Sequence, residues 1–319
     1  MIEVLHEERK SAVLTPSSLA CLAHMPTINL TAGCAHQCRY CYTRGYSTHP
    51  GEGKIRFYTN TLTKLRAELA RKRKKPVAVY FSPSSDPFQP VPDVLEMAYD
   101  IFTFLLDAGI GVAFATKGMI PERHRALLAS HAALVRGQIG LITHNARIAT
   151  AFEPNAASPE VRLAQTAELL AAGIAIESRM DPLLPGLTDD EDSLDGLCRA
   201  LASAGVRRVA ASVLFLRPAV IWSLRRHVTD PTMLQPLLDA FVVKEKMRIH
   251  AGKSVVFSLP EKNRRAILGR LGAVAKRHGI TVQFCACKNP DIASGTCNIA
   301  GRWDESAGGS RQLSLYEGR

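Results

Sequence analysis

Three cysteines, Cys34, Cys38 and Cys41, fall in the stretch Asn29–Gly45, NLTAGCAHQCRYCYTRG, with the spacing C-x3-C-x2-C. Thiolates this close reach one small metal centre, and soft sulfur donors select iron–sulfur clusters, zinc or Cu(I). A zinc ribbon uses two pairs of cysteines, whereas this stretch holds three and places Tyr40 before the last. A four-iron cluster on three cysteines keeps one iron open for a further ligand. A structural zinc site is the competing reading.

A second set, Cys285, Cys287 and Cys297, has the spacing C-x-C-x9-C with no histidine inside it. Lys288, Asn289, Pro290 and Gly295 make the intervening loop turn-prone. These thiols suit an auxiliary iron–sulfur cluster, with Cys21, Cys198 or a substrate as fourth ligand, or zinc with a ligand from elsewhere. They also suit redox-active thiols. Metal ligation is the expectation, a cluster ahead of zinc. Cys198, in the helical pattern EDSLDGLCRAL, reads as core.

The elements that must position these residues alternate strand and helix. TINLT, Thr27–Thr31, is a short β-branched strand that runs into Gly33 and the cysteines. Strands are expected at Val77–Ser82, Gly111–Thr116, Gly137–Thr143, Ile174–Arg179 and Arg207–Leu216. Helices are expected at Asn60–Lys75, Asp93–Ala108, Pro121–Leu134, Pro159–Ala172 and Asp189–Ala204. Pro76 stops the first, Gly109 and Gly173 close two others, and Ser158 caps the fourth. This order implies an α/β fold with parallel strands wrapped into part of a barrel. Residues 1–26 form an irregular lead-in, 27–216 the partial barrel, and 217–319 a basic extension, mainly helical, that carries the second cysteine set. In such barrels chemistry gathers at the C-terminal ends of the strands. Here those ends carry the cysteine loop, SPSSDPFQP, TKG and MDPLLPG.

Five segments, NLTAGCAHQCRYCYTRG, SPSSDPFQPV, ATKG, FEPNAASPEVRL and DPLLPGLTDDED, come in an order that resembles one branch of the radical S-adenosylmethionine (radical SAM) superfamily, that of spore photoproduct lyase. The resemblance implies a partial (β/α)6 barrel with a [4Fe–4S] cluster on Cys34, Cys38 and Cys41. It implies that SAM binds the open iron and is cleaved reductively to a 5′-deoxyadenosyl radical that abstracts hydrogen from substrate. It places Tyr40 near the adenine, Ser85 at the methionine end of SAM, and Asp86 as a loop brace or a contact to the amine. Lys117 would pair with the SAM carboxylate and Thr143 would reach the ribose. An external one-electron reductant of the flavodoxin or ferredoxin type is implied as partner. One departure stands out: Pro83 occupies the position where the lyase keeps its hydrogen-donor cysteine.

Composition bounds the rest. With 319 residues, 46% hydrophobic and 22% charged, the chain has material for a sizeable core. No run of 18 apolar residues and no apolar N-terminal segment appears, so a cytoplasmic protein without membrane spans is expected. The net charge of +11 concentrates in Arg71–Lys75 and between Arg217 and Arg277. Such charge serves phosphate contacts, making nucleic acid a candidate substrate, or it is a solvated surface. A metal-binding module that docks on nucleic acid without catalysis is the alternative function.

Overall fold

A computed structural model describes residues 2–17, 19–249, 254–284, 286–293 and 303. In chain order the strands before the first helix are β1 (Glu3–Glu7), β2 (Thr15–Pro16), β3 (Pro26–Ile28), β4 (Thr31–Ala32) and β5 (Lys54–Tyr58). The alternating part follows: α1 (Thr61–Arg71), β6 (Ala78–Phe81), α2 (Pro92–Asp107), β7 (Gly111–Thr116), α3 (Glu122–Ser130), β8 (Val135–Gly140), α4 (Ala146–Phe152), α5 (Pro159–Ala171), β9 (Ala175–Leu183), α6 (Glu191–Ser203) and β10 (Arg208–Val213). The C-terminal part holds α7 (Pro218–His227), α8 (Pro231–Ala240), β11 (Glu245–Ile249), β12 (Ser254–Ser258), α9 (Glu261–Arg277) and β13 (Thr281–Phe284).

The main sheet runs β13-β10-β9-β8-β7-β6-β3-β2. Every pair from β3 to β13 is parallel, and only the edge strand β2 is antiparallel. The six expected strands are therefore present as neighbours in chain order, and β13, from the C-terminal region, adds a seventh. Side chains cap two helix starts: Ser158, as expected, accepts from the Val161 N–H, and Asp190 accepts from the Ser193 N–H. α1 stops at Arg71, short of the expected Lys75, because Pro76 disfavours helical geometry in the residue before it and the cations that follow repel one another.

Side-chain alternation decides which layer each strand residue joins. Val79, Phe81, Val112, Phe114 and Val135 pack outward under Leu65, Val94, Ile101, Phe102 and Leu128 of the helices. Ala78, Tyr80, Ala113 and Ala210 point into the bore. The bore face is mostly alanine, so the interior has room for more than its own side chains. A second outward core sets Leu194, Leu197 and Leu201 of α6 with Leu268, Leu271 and Val274 of α9 on β9 and β10.

Three segments differ from expectation. Thr27–Thr31 is not one strand: β3 lies in the main sheet, and β4 turns away to pair with β5. The lead-in is not wholly irregular, since β1 lies parallel to β5. The fourth barrel strand covers 135–140 rather than 137–143. Gly137 sits in register between Phe114 and Ile176, where a Cβ would come within 2.6 Å of Ile176 Cδ1 and 2.8 Å of Phe114 Cζ.

The loops after β6 and β7 are jammed together at Gly118, where a Cβ would stand 2.0 Å from the Phe88 carbonyl oxygen. Because that obstacle is backbone, Gly118→Ala is expected to cost at least about 2 kcal/mol. Urea denaturation measures it, and an unchanged midpoint would show that these loops move apart freely.

Candidate active site

The C-terminal ends of β3 and β6–β10 surround one cavity of about 590 Å³. Cys34, Cys38 and Cys41 line it, with Tyr40, Ser85, Asp86 and Lys117. Of the residues expected around SAM, only Thr143 is missing from the wall. β8 ends at Gly140, Leu141 and Ile142 turn into the core, and the buried Thr143 hydroxyl accepts from the Asn145 N–H (3.0 Å) at the entry to α4.

The cysteine loop carries polar backbone that is buried, and such groups need partners. Neighbouring loops supply them. Gln89 takes the Ala35 N–H (2.8 Å) on its Oε1 and donates from Nε2 to Thr31 Oγ1 and the Asp86 carbonyl, both 3.0 Å. Asn155 donates to the Ala35 carbonyl (2.9 Å), and the Arg39 N–H donates to Phe152 O (2.8 Å). Gly33 enters the loop at φ +77°, with Pro50 and Lys54 where a side chain would stand. His36 ligates nothing: its Nδ1 stands 3.0 Å from Asn155 O and its Nε2 is 3.1 Å from Asp86 Oδ2.

Asp86 is a brace. Its carboxylate accepts from the N–H of Phe88 (2.8 Å), the hydroxyl of Thr116 (2.7 Å) and the N–H of Lys117 (2.8 Å). Burial by itself would raise its pKa. The His36 ring and these donors outweigh burial and hold it below the usual carboxylate range. Ser85 differs: its hydroxyl is buried with no hydrogen-bond partner among the described residues, and so is that of Ser82 on the same wall. Ser82 also has a left-handed backbone, φ +56°, uncommon outside glycine. Buried hydroxyls without partners at a cavity wall are what a polar ligand satisfies.

Residues passed over in the sequence hold the floor. The Glu153 carboxylate, with no exposed surface, takes Arg162 Nη2 at 2.7 Å and the Tyr40 hydroxyl, and Lys117 Nζ lies 3.9 Å away. Arg162 also donates to Gly140 O at 2.7 Å. Burial would raise the Glu153 pKa, but Arg162, Lys117 and the Tyr40 hydroxyl hold it below its ordinary value. Lys117 Nζ sits 5.8 Å from the Tyr40 ring centre and keeps a fifth of its side chain exposed to the cavity. Across the cavity, Asp181 pairs with Arg179 (2.7 Å) and Lys288. Those cations outweigh burial and keep its carboxyl far below the usual range. Glu153 and Asp181 both lie in segments the sequence singles out, FEPN and MDPLLPG. A lone acid in a loop reads as a cap, and only the fold reveals these partners.

The donor set fits an iron–sulfur cluster. Burial, then Asp86, pushes the Cys34 thiol well up; burial and Glu153 push Cys38 to about 12. Both thiols are neutral by themselves, and a metal must displace their protons. Among the described residues, no three His, Cys, Asp or Glu side chains converge on one ion. Of the second cysteine set, Cys287 is buried, and Cys285 and Cys297 lie outside the described residues.

Residues 28–195 match the family model of the radical SAM superfamily. The chain belongs to the radical SAM superfamily. Superfamily membership makes it an enzyme of SAM-dependent radical chemistry and implies a [4Fe–4S] cluster and SAM. It is 30% identical over 234 residues to an uncharacterized protein of Mycobacterium tuberculosis, covering 68% of each chain. It is 27% identical over 209 residues to a radical SAM Nalpha-GlyT isomerase of Pseudomonas phage M6, covering 65% of this chain and 41% of that one. Spore photoproduct lyase, solved with dinucleoside spore photoproduct, superposes with a TM-score of 0.66 at 15% identity, over 88% of this chain and 82% of the other. That likeness establishes the shared radical SAM fold. No helix among the described residues is long and apolar enough to cross a membrane.

Removing one partner of a buried ion pair strands the other charge, so Arg162→Leu is expected to cost about 3–5 kcal/mol. Adding Glu153→Leu should recover much of that loss. Denaturant melts of the single and double variants check it; a single-variant loss under about 1 kcal/mol would mean the pair is not closed to water.

Proposed function

We propose that this protein binds a [4Fe–4S] cluster on Cys34, Cys38 and Cys41 and SAM beside it, cleaves SAM reductively, and abstracts a hydrogen atom from a nucleic-acid or nucleoside substrate. One observation carries the cofactor half: the three thiols share a cavity with an unpartnered Ser85 hydroxyl and the Lys117 ammonium. Bound there, the two groups supply one-electron cleavage of the sulfonium bond and a hydrogen-abstracting 5′-deoxyadenosyl radical.

The chain's own residues position and enclose. Ser85 donates to or accepts from the methionine end of SAM. Lys117, weakly held by Glu153 at 3.9 Å, turns to the SAM carboxylate. Tyr40, fixed by Glu153, gives the adenine an apolar ring face. Asp86 keeps the loops after β6 and β7 in register, its carboxylate engaged by the Phe88 N–H, the Thr116 hydroxyl, the Lys117 N–H and, at 3.1 Å, His36 Nε2. An external one-electron donor of the flavodoxin or ferredoxin type supplies the electron. Cys285, Cys287 and Cys297 hold an auxiliary thiolate-bound metal.

The substrate reading rests on charge and on relatives. Arg225, Arg226, Lys244, Lys246 and Arg248 are exposed on α7 and around β11, and Arg217, Phe215 and Ile249 beside them line the cavity. One relative is named a radical SAM Nalpha-GlyT isomerase, and one solved structure of the same fold holds a dinucleoside spore photoproduct.

Anaerobic, reconstituted protein with dithionite and SAM is expected to release 5′-deoxyadenosine. Cys38→Ala should abolish release, and Lys117→Met should raise the SAM Kd at least about tenfold, the worth of one charge-assisted contact. Release by Cys38→Ala at the wild-type rate would refute the ligand assignment. Binding of labelled single- and double-stranded DNA should weaken steeply between about 50 and 200 mM salt. Absence of binding at the low end, to DNA and RNA alike, would remove nucleic acid as substrate.

A further inference from the structure

Unpaired charge and an exposed aromatic ring meet beside the cavity mouth. Arg71–Lys75, the first basic run, lies between the end of α1 and the start of β6. That is the N-terminal end of the sheet, opposite the cavity. The arginines of α9 are taken: Arg264 by Asp291, Arg265 by Glu261, Arg270 by Asp189 and Arg277 by Glu191. A cation facing a carboxylate has less attraction left for a phosphate. Arg217, Arg225, Lys244, Lys246 and Arg248 differ, since none of them pairs with a carboxylate among the described residues.

Trp222 stands among them and is 51% exposed. Arg225 and Arg226 follow it by three and four residues on α7, so ring and guanidinium groups share one exposed stripe. Arg226 Cζ sits 5.2 Å from the indole centre, and the His227 ring meets the indole edge-on at 6.1 Å. Arg226 and His227 both reach Glu52, Arg226 at 3.8 Å. The indole is thus held by its neighbours while half its surface stays open. Little side-chain freedom remains to be lost when something stacks on it.

α7 and the ribbon of β11 and β12 leave the cavity from one point. Phe215 lines the cavity and packs on Met247, Ile249 and Val256 of the ribbon. Leu216 exchanges two backbone hydrogen bonds with Phe257 of β12, at 2.8 and 2.9 Å. Arg217 lines the cavity and caps α7, whose Val220 also lines it. On β11 the alternation sets the buried Met247 and Ile249 on one face and the exposed Lys246 and Arg248 on the other. Val255, 53% exposed, lies opposite Arg248. The acid of β11, Glu245, has the parity of Met247.

Phosphates answer the cations, and the flat face of a base answers the indole. A duplex keeps its base faces stacked inside and shows only their edges. A single strand offers both phosphates and faces. Resting on the nucleic-acid reading above, we propose that the strand meeting this rim is single-stranded. Trp222 stacks one of its bases, and Arg225, Lys244, Lys246 and Arg248 hold phosphates on the way to the cavity past Arg217.

The test titrates the full chain with labelled oligothymidylate of about 12 nucleotides and with duplex DNA of equal length. The single strand is expected to bind at least about fivefold more tightly, the low end of one stacked base. Trp222→Ala should lose that advantage and leave duplex affinity unchanged, and Trp222→Phe should restore most of it. With Trp303→Phe, Trp222 is the one indole left, and the single strand should quench its emission. Arg225→Gln with Arg248→Gln should weaken both forms and flatten the single-strand salt dependence by about 0.7 per lost contact. Far-UV circular dichroism should be unchanged in each variant. Three results overturn the stacking site and leave the nucleic-acid reading standing: duplex bound as tightly as single strand, full single-strand affinity in Trp222→Ala, or no quenching on binding. Polyglutamate that displaces the strand charge for charge would overturn it too, by showing a surface that reads charge alone. No binding of either nucleic acid at about 50 mM salt would remove both readings.

Discussion

A carboxylate with no exposed surface needs cations or donors on every side, and Glu153 imposes that requirement on the cavity floor. Arg162 answers from α5 and ties the arrangement to the end of β8 through Gly140 O. Tyr40 answers from the cysteine loop and Lys117 from the loop after β7. Three separate strand ends are thereby referred to one charge. The same negative charge discourages ionisation of the Cys38 thiol, which stays neutral until a metal takes its proton. Frame and chemistry thus share one buried group.

The cysteine loop depends on a related economy. Its backbone is buried, so Gln89 and Asn155, from loops after β6 and α4, satisfy Ala35 from both faces. Asp86 spends its whole carboxylate on holding two loops together. Ser85, next to it, has nothing to hold. The braced Asp86 and the hydroxyls of Ser82 and Ser85, which have no partner among the described residues, thus share one five-residue stretch of the cavity wall. The opposite wall carries its charges in closed form, with Asp181 between Arg179 and Lys288. Lys288 comes from the C-terminal segment, so both halves of the chain share one cavity. Tyr42 donates to the Pro83 carbonyl, so this part of the wall presents proline backbone capped by a phenol.

Much of this was legible in the chain as a string. The β–α order followed from apolar periodicity and from stops such as Pro76, Gly109 and Gly173, and the caps at Ser158 and Asp190 sit at their helix starts. Ser85, Lys117 and Tyr40 lie on the cavity because a motif at a strand's C-terminal end goes wherever the strand goes. Thr143 lies off the cavity wall. The strand before it ends three residues earlier, at Gly140, and Leu141 and Ile142 turn into the core. Within that strand Gly137 lies against the side chains of Phe114 and Ile176 on neighbouring strands, a close approach that no local pattern displays.

The sequence alone determined the chemistry class, since three closely spaced thiols and an ordered set of loop motifs are local facts that survive any packing. Tertiary structure decided what each acid does. Tyr40 and Glu153 are 113 residues apart, Lys288 and Asp181 are 107 apart, and their pairing exists only because parallel strands bring distant ends to one rim. Local energies govern helices, turns and short ligand loops. A buried charge and its counter-charge are chosen by the folded partial barrel, where low dielectric makes each partner's position count.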